Sequence, residues 1–250
     1  MSEYNPFSLK NKKILVTGAS SGIGMGIAIE CSRMGAQLII TGRNKERLNR
    51  TLSLLEGESH IAVIADLNKE GDMDRLVENI DKIDGLVNCA GLAIPEPFSF
   101  INEESYSTIM TTNFKSPLFL TQMLVNKRRF TKPASIVFIS SINGIMVGYV
   151  GSGLYSASKG AVNAIVKGMA VELAVKNIRV NCICPGMVES NLLDSKVLTE
   201  EQLNEDRMKY PLKRYGKPED VAYAAIYLLS GASAWMTGSN LLIDGGFTLL

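Results

Sequence analysis

Residues 13–16, Lys-Ile-Leu-Val, form a short apolar run that passes without a break into Thr17-Gly-Ala-Ser-Ser-Gly-Ile-Gly24. A helix-period segment then carries Ile27, Ala28 and Cys31 to a stop at Gly35. An apolar strand joined to an amphipathic helix by a glycine turn is the opening half of a β–α–β unit, and it constrains the chain more than any other stretch. Glycines at 18, 22 and 24 let the backbone approach a bound group closely. The helix behind them offers free N–H groups and the positive end of its dipole, a combination suited to a pyrophosphate. A tight strand-to-helix turn without a ligand is the plainer alternative, and the spacing Gly-x-x-x-Gly-x-Gly departs from the commoner Gly-x-Gly-x-x-Gly.

The alternation continues. Apolar runs at 37–41, 61–65, 85–88, 136–139, 178–184 and 241–243 read as strands. Helices are expected from a cap at Asn44, around 73–80, over 106–127 despite Pro117, through Ala161, Val162, Ile165, Val166, Met169, Ala170 and Leu173, and over 220–229. Residues 92–104 read as loop, and 187–217 are the least regular part. Continuous apolar strands between helices argue a parallel sheet covered on both faces. With 250 residues, 46% hydrophobic, and no repeat or linker, the expectation is one doubly wound Rossmann-type α/β domain over 1–250, with a seven-stranded parallel sheet.

Composition excludes several functions. The formal charge is +1, with 26 basic and 25 acidic residues, so no nucleic-acid partner is indicated. No signal-peptide core or membrane-length run occurs, which favours the cytoplasm and no membrane partner. Cys31, Cys89, Cys182 and Cys184 sit in apolar surroundings and read as free thiols; Cys182-x-Cys184 has no second ligand pair, so no metal site is expected. A single histidine, His60, rules out mechanisms needing two imidazoles and disfavours a Ser-His-Asp hydrolase.

Tyr155 and Lys159 are four residues apart in a helical segment, so they share a face one turn apart. Phenols are poor acids at neutral pH, and a fixed ammonium favours the phenolate, as a proton donor requires. Taken alone, such a pair is equally a packed aromatic and a solvated lysine.

Six features stand in one register. They are the Thr17-to-Gly24 turn, Asn88-Cys-Ala-Gly91, Asn113, Ser141, Tyr155-x-x-x-Lys159 and Pro185-Gly186. In order and spacing the chain resembles the short-chain dehydrogenases/reductases over nearly its whole length, most closely the 3-oxoacyl-[acyl-carrier-protein] reductase-like members. The resemblance implies that Tyr155 is the general acid/base, that Lys159 assists it and holds the nicotinamide ribose, and that Ser141 hydrogen-bonds the substrate oxygen, with Ser140 as runner-up. Asn113 would support a water-mediated proton relay. It further implies cofactor contacts from Gly18, Ser20, Ser21, Gly22, Ile23 and Gly24. Asp66 and Leu67 would flank the adenine, with Asn88, Ala90 and Gly91 on the adenosine side. Pro185, Gly186, Val188 and Ser190 would back the nicotinamide. At the end of the second strand stands Thr41-Gly42-Arg43, with no carboxylate to accept the ribose hydroxyls; Arg43, helped by Ser20 and Asn44, favours NADP(H) over NAD(H).

The expected activity is an NADP(H)-dependent interconversion of a ketone and a secondary alcohol, with a 3-oxoacyl thioester as one substrate class. A polyol, sugar or steroid dehydrogenase is the alternative, and a non-catalytic NADPH-binding regulator is the alternative of another class. Residues 187–217 are expected to form a substrate lid, its apolar members Met187, Leu192, Leu193, Val197, Leu198, Leu203, Met208 and Tyr210 either facing substrate or packing on the body. Lys127-Arg128-Arg129 would either receive an acidic carrier protein or complement a helix C-terminus. The resemblance also implies a homotetramer, with Ala157, Gly160, Ala161, Ala164 and Gly168 at one interface and the apolar end 247–250 at another.

Overall fold

The computed structural model describes residues 4–189 and 199–250. The strands are β1 (Lys13–Thr17), β2 (Gln37–Gly42), β3 (Ile61–Ile64), β4 (Ile83–Asn88), β5 (Phe130–Ile139), β6 (Ile178–Pro185) and β7 (Asn240–Ile243). They form one parallel sheet in the order β3-β2-β1-β4-β5-β6-β7, which reverses direction between β1 and β4. The helices are α1 (Gly22–Arg33), α2 (Lys45–Ser53), α3 (Asp72–Glu78), α4 (Glu103–Met110), α5 (Ser116–Asn126), α6 (Gly153–Ala174), α7 (Glu200–Met208) and α8 (Pro218–Leu229).

Because strand side chains alternate, β1 feeds two cores. Ile14 and Val16 join Ile27 of α1 and Leu228 of α8, whereas Leu15 between them joins Leu86, Ile136 and Phe138 with Leu120 of α5 and Val166 of α6. Each such fully buried side chain contributes about 1.5–3 kcal/mol, so both faces hold the sheet and leave its edge at the strand ends free to carry a site.

Three elements differ from expectation. β5 starts at Phe130 rather than at 136 and passes through Pro133, a residue that ordinarily ends a strand; its pairing with β4 shifts register between Ile83 and Gly85, which takes up the irregularity. The expected helix over 106–127 is two helices joined by a π turn at Thr111–Lys115, in which Ser116 N–H bonds Thr111 O. Pro117 in the first turn of α5 has no N–H to give Asn113 O, so the ladder changes register just before it. Finally, α7 lies within the supposedly irregular 187–217. Thr199 and Gln202 cap it reciprocally (Gln202 N–H to Thr199 Oγ1, 3.2 Å; Thr199 N–H to Gln202 Oε1, 2.9 Å), and Leu203 docks it on Tyr210, Tyr215 and Phe247.

Asp220 fixes the entry to α8. Its carboxylate accepts from Lys217 N–H at 2.7 Å and from Arg214 Nη1 and Nη2 at 2.6 and 3.2 Å. The Arg214 hydrogen bond, foremost, holds the Asp220 carboxyl below the usual range. A depressed carboxyl stabilises above its unfolded pKa of about 4 and ceases to do so as pH falls through the folded value. Asp220→Asn is therefore expected to cost about 1 kcal/mol at neutral pH, and in melts at successively lower pH the difference from the parent should close as the carboxyl of the folded protein protonates.

Candidate active site

At the point where strand order reverses, the carboxyl ends of β1, β2 and β4 open into a cleft of about 430 Å³. Its floor is the glycine turn. Gly18 has φ +66°, and a Cβ there would lie 2.8 Å from the backbone of Ala90; a Cβ on Gly24 would lie 2.4 Å from Gly18 O. Ser21 stands at the N-cap of α1 without making a side-chain cap bond, and Gly22, Ile23 and Gly24 of its first turn line the cleft. Thr17 ties the two strand ends, its Oγ1 accepting from the N–H groups of Cys89 and Ala90 at 3.0 and 3.1 Å. Burial pushes the Cys89 thiol up to about 12, which keeps it protonated at neutral pH.

The far end gathers Ser20, Arg43 and Asn44, as expected, and adds Arg47, which the sequence reading missed. Arg47 lies in the first turn of α2, just past the Asn44 cap that follows Arg43, and a second arginine so close to the cap could have flagged it. Asn44 Oδ1 caps α2 by accepting Arg47 N–H at 2.9 Å, so only its amide N–H groups remain for a ligand. Asp66 and Leu67 line the same end together with Asn68. Asn68 is also joined by hydrogen bonds of 2.7 Å to Thr112 Oγ1 and Ser116 Oγ, which link this loop to the π turn. Asn88 does not line the cleft: it is buried, with Nδ2 donating to Thr121 Oγ1 at 3.0 Å, while Ala90 and Gly91 after it do line the cleft.

The third wall holds Tyr155 and Lys159 on α6. Lys159 is 6% exposed; its Nζ donates to Ile139 O at 2.9 Å and sits 5.8 Å from the centre of the Tyr155 ring. The carbonyl partner is what makes burial of an ammonium tolerable here. Asn113 stands behind this wall in the π turn. Its Oδ1 accepts Leu92 N–H at 2.8 Å, and its Nδ2 donates to Leu92 O at 2.9 Å and to Ser158 Oγ at 3.0 Å, fastening the loop after β4 to α6. Of the two serines, Ser140 is used structurally, donating to Lys159 O at 3.0 Å, although it borders the cleft. Ser141 caps the short turn Ile142–Gly144, its Oγ accepting Asn143 N–H at 3.2 Å. Pro185 ends β6, and Gly186 and Val188 follow it; Gly186 lies against Asp244, and Val188 is buried and bridges to Gly216. Neither these three nor Ser141 lines the cleft. Ser190, Leu192, Leu193, Val197 and Leu198 lie outside the described residues. Of the other lid residues, Leu203 and Tyr210 pack on the body while Met187 and Met208 are exposed.

The donor set suits an anionic dinucleotide. It offers a glycine cradle that a Cβ would fill, a helix start without a side-chain cap, and two guanidinium groups at the opposite end. Among the described residues no group of three metal-ligating side chains occurs, and no helix is long and apolar enough to cross a membrane.

Comparison with known proteins gives the family. Residues 18–248 match the family model described as enoyl-(acyl carrier protein) reductase. The chain is 34% identical to the 3-oxoacyl-[acyl-carrier-protein] reductase of Chlamydia pneumoniae, covering 96% of this chain and 98% of that one. It is 32% identical to a tropinone reductase homolog of Arabidopsis thaliana, covering 97% and 94%. A solved structure described as a short-chain alcohol dehydrogenase from Sinorhizobium meliloti superposes with a TM-score of 0.89 at 31% identity, covering 98% and 99% of the two chains. A glycine turn at the switch point, a tyrosine and lysine one helical turn apart on the opposite wall, and these relatives along almost the full length lead to one assignment: the chain is an oxidoreductase belonging to the short-chain dehydrogenase/reductase family.

Proposed function

We propose that the protein is an NADPH-dependent reductase of ketones to secondary alcohols, and of 3-oxoacyl thioesters in particular. The observation that carries the reading is that Tyr155 and Lys159 line the same cleft as the glycine turn and Arg43. Gly18, Ser20, Gly22, Ile23 and Gly24 would hold the pyrophosphate of the cofactor, whose reduced nicotinamide would supply the hydride. Tyr155 donates the proton to the carbonyl oxygen, and Ser141 holds that oxygen by a hydrogen bond. Lys159, its Nζ held by Ile139 O, stabilises electrostatically the phenolate left behind and would also hold the nicotinamide ribose. Asn113 keeps the Leu92 loop and α6 in register, so that the cleft wall and the proton donor stay in fixed relation. The acyl thioester follows the activity that the reductase relatives carry in their names.

Arg43 and Arg47 select the cofactor: guanidinium groups pair a ribose 2′-phosphate, and no carboxylate stands at the end of β2 to repel it. Arg43→Ala is expected to raise KM for NADPH about 10–100-fold and to leave KM for NADH unchanged, as the loss of a charge-assisted pair requires. Equal changes for both cofactors would remove the phosphate role. NADPH oxidation against an acetoacetyl thioester, with NADH in parallel, tests the substrate. Binding of NADPH without turnover would discard the thioester and keep the family chemistry. Free cysteines, among the described residues, suit a reducing compartment such as the cytoplasm.

The homotetramer is proposed on the exposed stripe of α6, where Ala157, Ala164 and Gly168 lie among the exposed Val171 and Val175. Gly160 is not part of that stripe: its Cβ position is 2.9 Å from Gly144 O, so it serves a contact within the chain. Phe247 stacks on Tyr210 at 4.7 Å, leaving Leu249 and Leu250 as the exposed end. Light scattering should give a particle of four 27.2 kDa chains; a monomer would overturn this assembly.

A further inference from the structure

Between α6 and the end of β6 lies a buried group that the proposed reaction leaves unused. Asn163 is 2% exposed, and Cys182 and Cys184 are 0% and 1% exposed. Both sulfurs reach Asn163 Oδ1, at 3.3 and 3.5 Å. The other end of the amide points at the turn that Ser141 caps. Among the described residues Asn163 Nδ2 has no hydrogen-bond partner, and it stands 2.7 Å from where a Cβ on Gly144 would be. The same Cβ position is 2.8 Å from Lys159 C and 2.9 Å from Gly160 N, so the turn rests directly on α6. The Cys182 thiol, foremost, and then the Lys159 charge and the Ser141 N–H draw the Cys184 thiol downward, against the opposing effect of burial.

An amide donor buried without a partner destabilises a fold, and a leucine of the same shape would remove that penalty. Local cost at a site is usually retained for geometry rather than for stability. We infer that Asn163, acting with Cys184, is a positioning residue that fixes the Ser141–Gly144 turn and thereby the Ser141 hydroxyl. The inference rests on the reading that Ser141 holds the carbonyl oxygen. Asn163 touches neither substrate nor cofactor in this account. It orients Ser141 from below, one helical turn beyond Lys159.

The test has two readouts. In the full-length protein, Asn163→Leu is expected to speed amide exchange at Asn143 and Gly144 about tenfold while leaving Tm unchanged or raised, since the unmet donor is gone. In acetoacetyl thioester reduction it is expected to lower kcat about tenfold with KM for NADPH unchanged, and to add almost nothing in a Ser141→Ala background. Cys184→Ala should reproduce the pattern if Asn163→Leu fails to fold. Unchanged exchange in the turn would overturn the inference, and so would a kcat loss as large in the Ser141→Ala background as in the parent. Faster exchange in a protein whose parent reduces no ketone would support the positioning of the turn and overturn the proposed reaction instead.

Discussion

Replacing Tyr155 by phenylalanine is expected to lower turnover by roughly 10²–10⁴-fold, the usual worth of a positioned proton donor, with NADPH affinity held within about twofold. Only a hydroxyl is removed. The ring keeps its place on α6, and Lys159 keeps its bond to Ile139 O, so the cofactor wall is preserved. The two quantities therefore separate the enzyme from a protein that merely senses NADPH. Steady-state rates and a fluorescence titration on the same preparation measure both. Turnover surviving the substitution would refute Tyr155 as the acid, and joint loss of rate and binding would mean that its role is structural.

The second large effect is expected at the glycine turn. A methyl group on Gly24 would lie 2.4 Å from Gly18 O, and the obstructing atom is backbone that cannot swing aside. Relieving such a contact by displacing the turn costs about 1–3 kcal/mol, so Gly24→Ala should weaken NADPH about 5–150-fold. Gly153→Ala is the control, because among the described residues nothing lies within 4 Å of its Cβ position. It should leave binding unchanged and give equal or slightly higher stability. Equal loss of affinity in both variants would point to a general effect of adding a methyl group rather than to the cradle.

Much of this molecule was legible in its sequence because its signals are local. The continuous apolar strands gave the parallel sheet, and the glycine spacing located the turn that approaches Ala90. The four-residue interval put Tyr155 and Lys159 on one face of α6. Misses arose where a local signal competed with another. Pro133 argued against the strand that runs through it, and Pro117 was weighed against the continuous helical pattern, which hid the change of register just before it. The Thr199–Gln202 capping pair was present but overlooked amid charged residues.

What the chain determines by itself is therefore the order of elements and the chemical types at its strand ends, since both follow from periodicity and from residue spacing. Tertiary packing decided the rest. It showed that Ser140 spends its hydroxyl on Lys159 O while Ser141 caps the next turn, that Asn88 is a buried brace and Arg47 a cleft residue, and that Gly160 packs against Gly144 within the chain. Those distinctions depend on which groups from distant segments arrive within about 3 Å of each other, a distance that no spacing along the chain encodes.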